Sequence, residues 1–132
     1  MGSNNGTLRI LLVEDHRDTA EVVGKLLQLE GHHVDVARTL NDALRQCRAG
    51  NFHVALCDLG LPDGSGLEVM RHVKQSPPPL CDLPGIALTG FGMEEDLRQS
   101  REAGFEQHLT KPVNFQTLER VIRKVAREPA AL

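Results

Sequence analysis

Along the chain, hydrophobic residues fall either into short unbroken runs or into stretches where they recur every third or fourth position. The runs lie at 8–13, 54–58 and 84–90, with further strand candidates at 33–37, around Val34 and Val36, and at 107–110. Each has the length of a strand, and near-continuous apolarity marks strands covered on both faces. Helical spacing fills the intervals. A first helix is predicted over 17–30, stopped by Gly31. A second opens at Thr39 with Asp42 three residues on, a variant of the capping box, and closes at Gly50. Leu67, Val69, Met70 and Val73 mark a third, which must end before Pro77-Pro78-Pro79. A polar fourth helix is predicted over 93–103, and Phe115, Leu118, Val121, Ile122 and Val125 form the apolar stripe of a fifth. Residues 76–83 read as the longest loop. Five strands alternating with five helices predict one α/β domain, a five-stranded parallel sheet with helices on both faces. Right-handed crossovers make it doubly wound.

Composition narrows the function without naming it. The 132 residues suit a single domain, and 40% hydrophobic with 25% charged residues is a globular balance. Four Phe with no Trp or Tyr, and a net charge of -3, give neither the stacking platforms nor the positive field of a nucleic-acid surface. No direct nucleic-acid partner is expected. No apolar run nears the roughly 20 residues that span a bilayer, so no membrane insertion is expected. The polar residues 1–7 read as a disordered leader or cloning remnant, 8–127 as the domain and 128–132 as a tail. Cys47, Cys57 and Cys81 are odd in number with no Cys-x-x-Cys spacing, which fits reduced thiols and a cytoplasmic location.

The chemistry gathers at the strand ends. A doubly wound sheet presents all its strand carboxyl ends at one rim, where diverging loops leave a crevice. Glu14 and Asp15 follow the first run, Asp58 closes the third, Thr89 the fourth, and Lys111 follows the fifth. Asp58 alone would read as a turn-capping residue; its company at the same rim argues for a site. Three neighbouring carboxylates repel one another unless a cation joins them, and oxygen ligands suit magnesium. A lysine and a hydroxyl facing the acids would complete a cradle for a phosphoryl group. Asp58 is then the nucleophile, forming an acyl phosphate. His16 is read as a loop residue rather than a ligand, because magnesium prefers oxygen. Cys57 points away from Asp58 on an alternating strand and is expected in the core. His32, His33, His53 and His72 carry no pattern and are expected at the surface. Arg120, Arg123, Lys124 and Arg127 share one face of the last helix, read as solvated.

Glu14-Asp15, the run Asp58-x-x-x-Pro62-x-x-x-Gly66, Thr89 before a small residue, and Lys111-Pro112 together resemble the receiver domain of two-component response regulators. Asp-Leu-Gly-Leu-Pro at 58–62, Leu-Thr-Gly-Phe-Gly at 88–92 and the stretch 104–113 are most similar to receivers of hybrid histidine kinases. The resemblance implies a flavodoxin-like sheet of order 2-1-3-4-5. It implies that Asp58 takes a phosphoryl group from a phosphohistidine on a histidine kinase or histidine phosphotransfer protein. It further implies that Asp15, Asp58 and the Gly60 carbonyl bind Mg2+ directly, with Glu14 acting through water. Thr89 and Lys111 would hold the phosphoryl oxygens, and the bond before Pro112 would be cis. The implied activity is a signalling switch, not an enzyme with an external substrate. The surface read by partners, and a weak homodimer, would lie on the fourth helix, fifth strand and fifth helix.

Two positions depart from the commonest receivers. His108 stands where many carry Tyr or Phe that swings inward as Thr89 moves; a histidine can make that swing with a titratable ring, or simply face solvent on an edge strand. Gly60 and Phe91 flank the place of the attacking water, and bulky Phe91 is expected to slow loss of the phosphoryl group. Three rival readings fit these residues less well. A haloacid dehalogenase-like phosphatase needs an Asp-x-Asp pair that neither Asp58-Leu59-Gly60 nor Asp15-His16-Arg17 supplies. A flavin-binding domain needs a glycine- and hydroxyl-rich loop where Glu14-Asp15 stand. A receiver-like module that is never phosphorylated would not need the complete set of acids, Thr and Lys.

Overall fold

The computed structural model describes residues 7–90 and 94–127. Its main strands are β1 (Arg9–Val13), β2 (His33–Ala37), β3 (Val54–Asp58), β4 (Gly85–Thr89) and β5 (Gln107–Thr110). The helices are α1 (Arg17–Leu29), α2 (Leu40–Ala49), α3 (Gly66–Lys74), α4 (Glu94–Ala103) and α5 (Phe115–Val125). The five strands form one sheet in the order β2-β1-β3-β4-β5, every pairing parallel. This is the doubly wound, flavodoxin-like architecture expected from the sequence. From β1 the chain first adds β2 on one side and then crosses back to place β3 on the other. The winding therefore reverses between β1 and β3, and a crevice opens at their carboxyl ends.

Strand alternation builds two cores. Leu11, Val13, Ala55, Cys57 and Ala87 face α2, α3 and α4, where Ala43, Cys47, Val69, Met70, Val73 and Phe105 join them. Ile10, Leu12, Val54, Leu56, Ile86 and Leu88 face α1 and α5, packing with Leu27, Leu118, Ile122 and Val125. Because the central strands β1, β3 and β4 feed both layers, their sequences have no polar face to show, whereas the edge strands β2 and β5 carry polar residues. Cys57 is fully buried, as expected of a core residue. Among the described residues no helix is long and apolar enough to cross a membrane.

Several local expectations are refined. The loop at 76–83 contains a short 3-10 turn, Leu80–Asp82. Lys74 Nζ donates to the carbonyls of Cys81 and Leu83, which secures this turn to the end of α3. Thr39 Oγ1 accepts from the Asp42 amide at the start of α2, but the Asp42 carboxylate turns away to Arg45 and Gln46, so only half of that capping box forms. The reciprocal box is at α3, where Ser65 Oγ accepts from Leu67 N and Glu68 Oε1 accepts from Ser65 N.

The expected surface position of His32 is wrong. Its side chain is fully buried: Nδ1 accepts from the Leu8 amide, and Nε2 lies 3.0 and 3.1 Å from the two oxygens of Glu119 on α5. The basic face of α5 is likewise only partly solvated, since Arg123 pairs with Glu119 and Arg127 with Glu106.

Candidate functional site

Asp58 is the last residue of β3, and the chain turns sharply after it. Gly60 N–H donates to Asp58 Oδ1 at 2.9 Å, and the Gly66 amide donates to the Leu59 carbonyl at 3.0 Å. These bonds fold residues 59–66 back over the strand end. A two-residue antiparallel pairing closes the loop, with Gly60 opposite Ser65 and Leu61 opposite Gly64. Gly66 is required where α3 begins, because a Cβ there would run into the carbonyl oxygen of Asp58. The spacing from Asp58 to Gly66 thus has a steric cause.

Around Asp58 the other strand ends supply their groups. Glu14, Asp15 and Asp58 each offer a carboxylate oxygen, and the three atoms lie within 4.8 Å of one another. Lys111 Nζ reaches in from the end of β5, 2.7 Å from Asp58 Oδ2 and 3.2 Å from Glu14 Oε1. Its position is fixed by its own amide, which donates to the Thr89 carbonyl at 2.7 Å, and the Lys111–Pro112 bond is cis. Thr89 ends β4 beside the site and is buried. His108 is half-buried on edge strand β5, opposite Ala87 and two rungs back from the pair Thr89–Thr110. Phe91 lies outside the described residues.

Electrostatics at the rim are unbalanced. The Glu14 side chain is 1% exposed. Burial pushes its carboxyl above the ordinary carboxylate range, and the hydrogen bond and charge of Asp58 push the same way; the His16 amide and Lys111 offset this only in part. Burial alone would lower the Lys111 ammonium, but the hydrogen bond and charge of Asp58, followed by those of Glu14, leave it above its usual value. One lysine therefore reaches two of the three carboxylates. The donor set is all hard oxygen, held by two different loops at a spacing that small carboxylate movements bring to one ion. It fits Mg2+, which takes oxygen ligands at about 2.0–2.1 Å and discriminates against nitrogen-rich sites. His16 contributes its backbone amide to Glu14 and no ring nitrogen to the cluster.

Beside Asp58 lies a cavity of about 350 Å3 lined by Asp58, Ser65, Leu67, Thr89, Asp96 and Gln99. The sequence reading missed Asp96 and Gln99. Their spacing, three apart on the helix that follows Thr89, was the available signal.

The profile of the response regulator receiver domain matches residues 10–123. This span contains the three acids, Thr89 and Lys111. The chain belongs to the response regulator receiver domain family. Over 117 residues it is 32% identical to the Aerobic respiration control sensor protein ArcB of Escherichia coli, covering 89% of this chain and 15% of ArcB. It therefore spans only a small part of that relative's length. The receiver domain of sensor histidine kinase PA1611 from Pseudomonas aeruginosa, with a magnesium ion coordinated in its active site cleft, matches at a TM-score of 0.83 and 26% identity, over 91% of this chain and 98% of that one. The response regulator TrrA of Thermotoga maritima, in complex with Mg2+ and BeF, matches at a TM-score of 0.77 and 30% identity, over 89% of this chain and 97% of that one. This receiver domain is a phosphoacceptor module of two-component signalling. The phosphatase alternative finds no support among these relatives.

Proposed function

We propose that Asp58 is the phosphoacceptor, taking a phosphoryl group from a phosphohistidine on a histidine kinase or phosphotransfer protein. The observation that carries this is the single lysine bridging Asp58 and Glu14 inside a cluster of three carboxylates. An Asp58 carboxylate oxygen attacks phosphorus as the P–N bond breaks, and the bonding electron pair leaves on the imidazole nitrogen. Asp15, Asp58 and the Gly60 carbonyl would hold Mg2+ directly, with Glu14 acting through water, and the ion would supply charge neutralisation for the transferring group. Lys111 exchanges its contact with the Asp58 carboxylate for the phosphoryl oxygens, and the Thr89 hydroxyl donates to them. That exchange changes what Thr89 and the start of α4 face, and His108 on β5 carries the change to the surface of α4, β5 and α5, where partners or a second copy dock. The chain so described is a cytoplasmic switch whose catalysis is confined to its own phosphorylation and slow dephosphorylation.

The test is incubation with acetyl phosphate, with and without Mg2+, followed by intact mass. One phosphoryl group is expected on the wild type only with Mg2+, and none on Asp58→Asn. An unmodified wild type, or an equally modified Asp58→Asn, overturns the assignment.

A further inference from the structure

The junction between β2 and α2, residues 38–41, lies against both loops that carry the acids. On one side, Arg38 Nη2 donates to the backbone carbonyl of Asp15 at 3.2 Å. On the other, the Asp63 carboxylate in the turn after Asp58 accepts from the first two amides of α2: Oδ1 from Leu40 N at 2.7 Å and Oδ2 from Asn41 N at 3.2 Å. The contact continues through side chains, for a Cβ at Gly64 would come within 2.7 Å of Leu40 Cδ2. Helix α2 already has its own cap, since Thr39 accepts from the Asp42 amide. Asp63 therefore adds a tie between two loops rather than the basic cap of one helix.

We infer that Asp63 and Arg38 are positioning residues of the metal site, with the β2–α2 junction acting as a clamp that sets the separation of the Asp15 loop from the Asp58–Ser65 turn. Neither residue is a ligand: the carboxylates that share the cluster are those of Glu14, Asp15 and Asp58. Each acts on its neighbours' geometry. Asp63 anchors the turn that presents Gly60 and fixes Asp58 Oδ1. Arg38 anchors the main chain that aims the Asp15 carboxylate. The helix amides also favour the ionised form of Asp63, whose carboxyl is held below its ordinary value chiefly by the Leu40 amide. Residues that orient ligands from behind, although they touch no metal, commonly set its affinity.

The inference rests on the magnesium reading above, so the experiment separates the two. Mg2+ is titrated into the metal-free full chain while backbone NMR shifts give the Kd and thermal melts give the Tm, for wild type, Asp63→Ala, Asp63→Asn, Arg38→Ala and Lys74→Ala. Asp63→Ala is expected to weaken Mg2+ by about tenfold, the lower end for lost orienting partners. Asp63→Asn keeps one accepting oxygen and is expected to recover part of that loss. Arg38→Ala is expected to weaken Mg2+ less than Asp63→Ala, and it carries the test should Asp63→Ala not fold. Lys74→Ala frees the 3-10 turn at the far end of α3, away from the clamp, and should lower the Tm with the Kd unchanged. Saturating Mg2+ should restore the acetyl phosphate reaction rate of the Asp63 variants. Wild-type affinity in both Asp63→Ala and Arg38→Ala overturns the clamp, as does a loss in Lys74→Ala equal to that in Asp63→Ala. Failure of the wild type to bind Mg2+ overturns the metal reading and the clamp with it.

Discussion

Both rims of the sheet gather ionisable side chains, and they settle the charge in opposite ways. Toward the amino rim three acids have cations: Glu119 is shared by His32 and Arg123, Glu106 pairs with Arg127, and Asp35 pairs with Arg9. His32 spends both ring nitrogens, and His53 Nδ1 accepts from the Arg9 amide, so the start of β1 is held from both sides. At the carboxyl rim three carboxylates crowd within 4.8 Å and Lys111 answers two of them. Closed networks hold a fold together. An excess of negative charge at a strand-end crevice leaves free energy to be gained when a divalent cation arrives, and that surplus is what the carboxyl rim is built to keep.

The sharpest way to break this contrast is to disturb the carboxyl rim sterically. Gly66→Ala forces a methyl group into the Asp58 carbonyl and should cost about 3 kcal/mol, the upper range for overpacking, in urea unfolding, with phosphorylation lost alongside. Slightly smaller is the effect expected at the other rim. His32→Ala leaves the Leu8 amide and the Glu119 carboxylate short of a partner and should cost about 2–3 kcal/mol, the penalty for buried polar groups left unpaired. Its Mg2+ affinity should stay at the wild-type value, and a change there would blur the distinction between the rims.

Lys111→Ala removes the neutralising ammonium and should lower metal-free stability by about 2 kcal/mol, the scale of a charge-assisted hydrogen bond. Because the lysine competes with a cation for the same oxygens, added Mg2+ should stabilise this variant more than the wild type in thermal melts. An equal response in the two proteins would separate the lysine from the metal.

The gentlest probe is pH. In the metal-free protein the Glu14 carboxyl lies above its ordinary value of 4.5, so the folded chain holds its proton more firmly than the unfolded chain does. That contribution to stability is complete below about 4.5 and is lost as the pH climbs through the raised value. Mg2+ prefers the ionised form and should reverse the slope, so that stability gained from the metal grows with pH over the same window. Melting curves with and without Mg2+ should therefore diverge with pH, and Glu14→Gln should flatten the divergence.

What could be read from the sequence follows from the range of the interactions. The strands were legible because each apolar run records burial on both faces in consecutive letters, as in Val54 to Cys57. The acids, Thr89 and Lys111 were legible because each stands at the end of such a run. His32 was not: its partner Glu119 lies 87 residues away, and nothing near Gly31 and His33 shows that the ring is enclosed. Asp63 carries no local signal of its role, because the amides it binds lie 22 and 23 residues back. Asp42 misled in the other direction, since its spacing from Thr39 fits a capping box while Arg45 and Gln46 offer its carboxylate closer partners.

The contact between Glu14 and Lys111 joins positions 97 residues apart. A chain emerging from the ribosome has presented all three acids by Asp58 but gains its ammonium only after β5 has been made and inserted at the sheet's edge. Until then Glu14 and Asp58 lack the ammonium that bridges them, and the cluster is incomplete. Readiness to receive a signal thereby becomes a certificate that synthesis and folding of the sheet have finished.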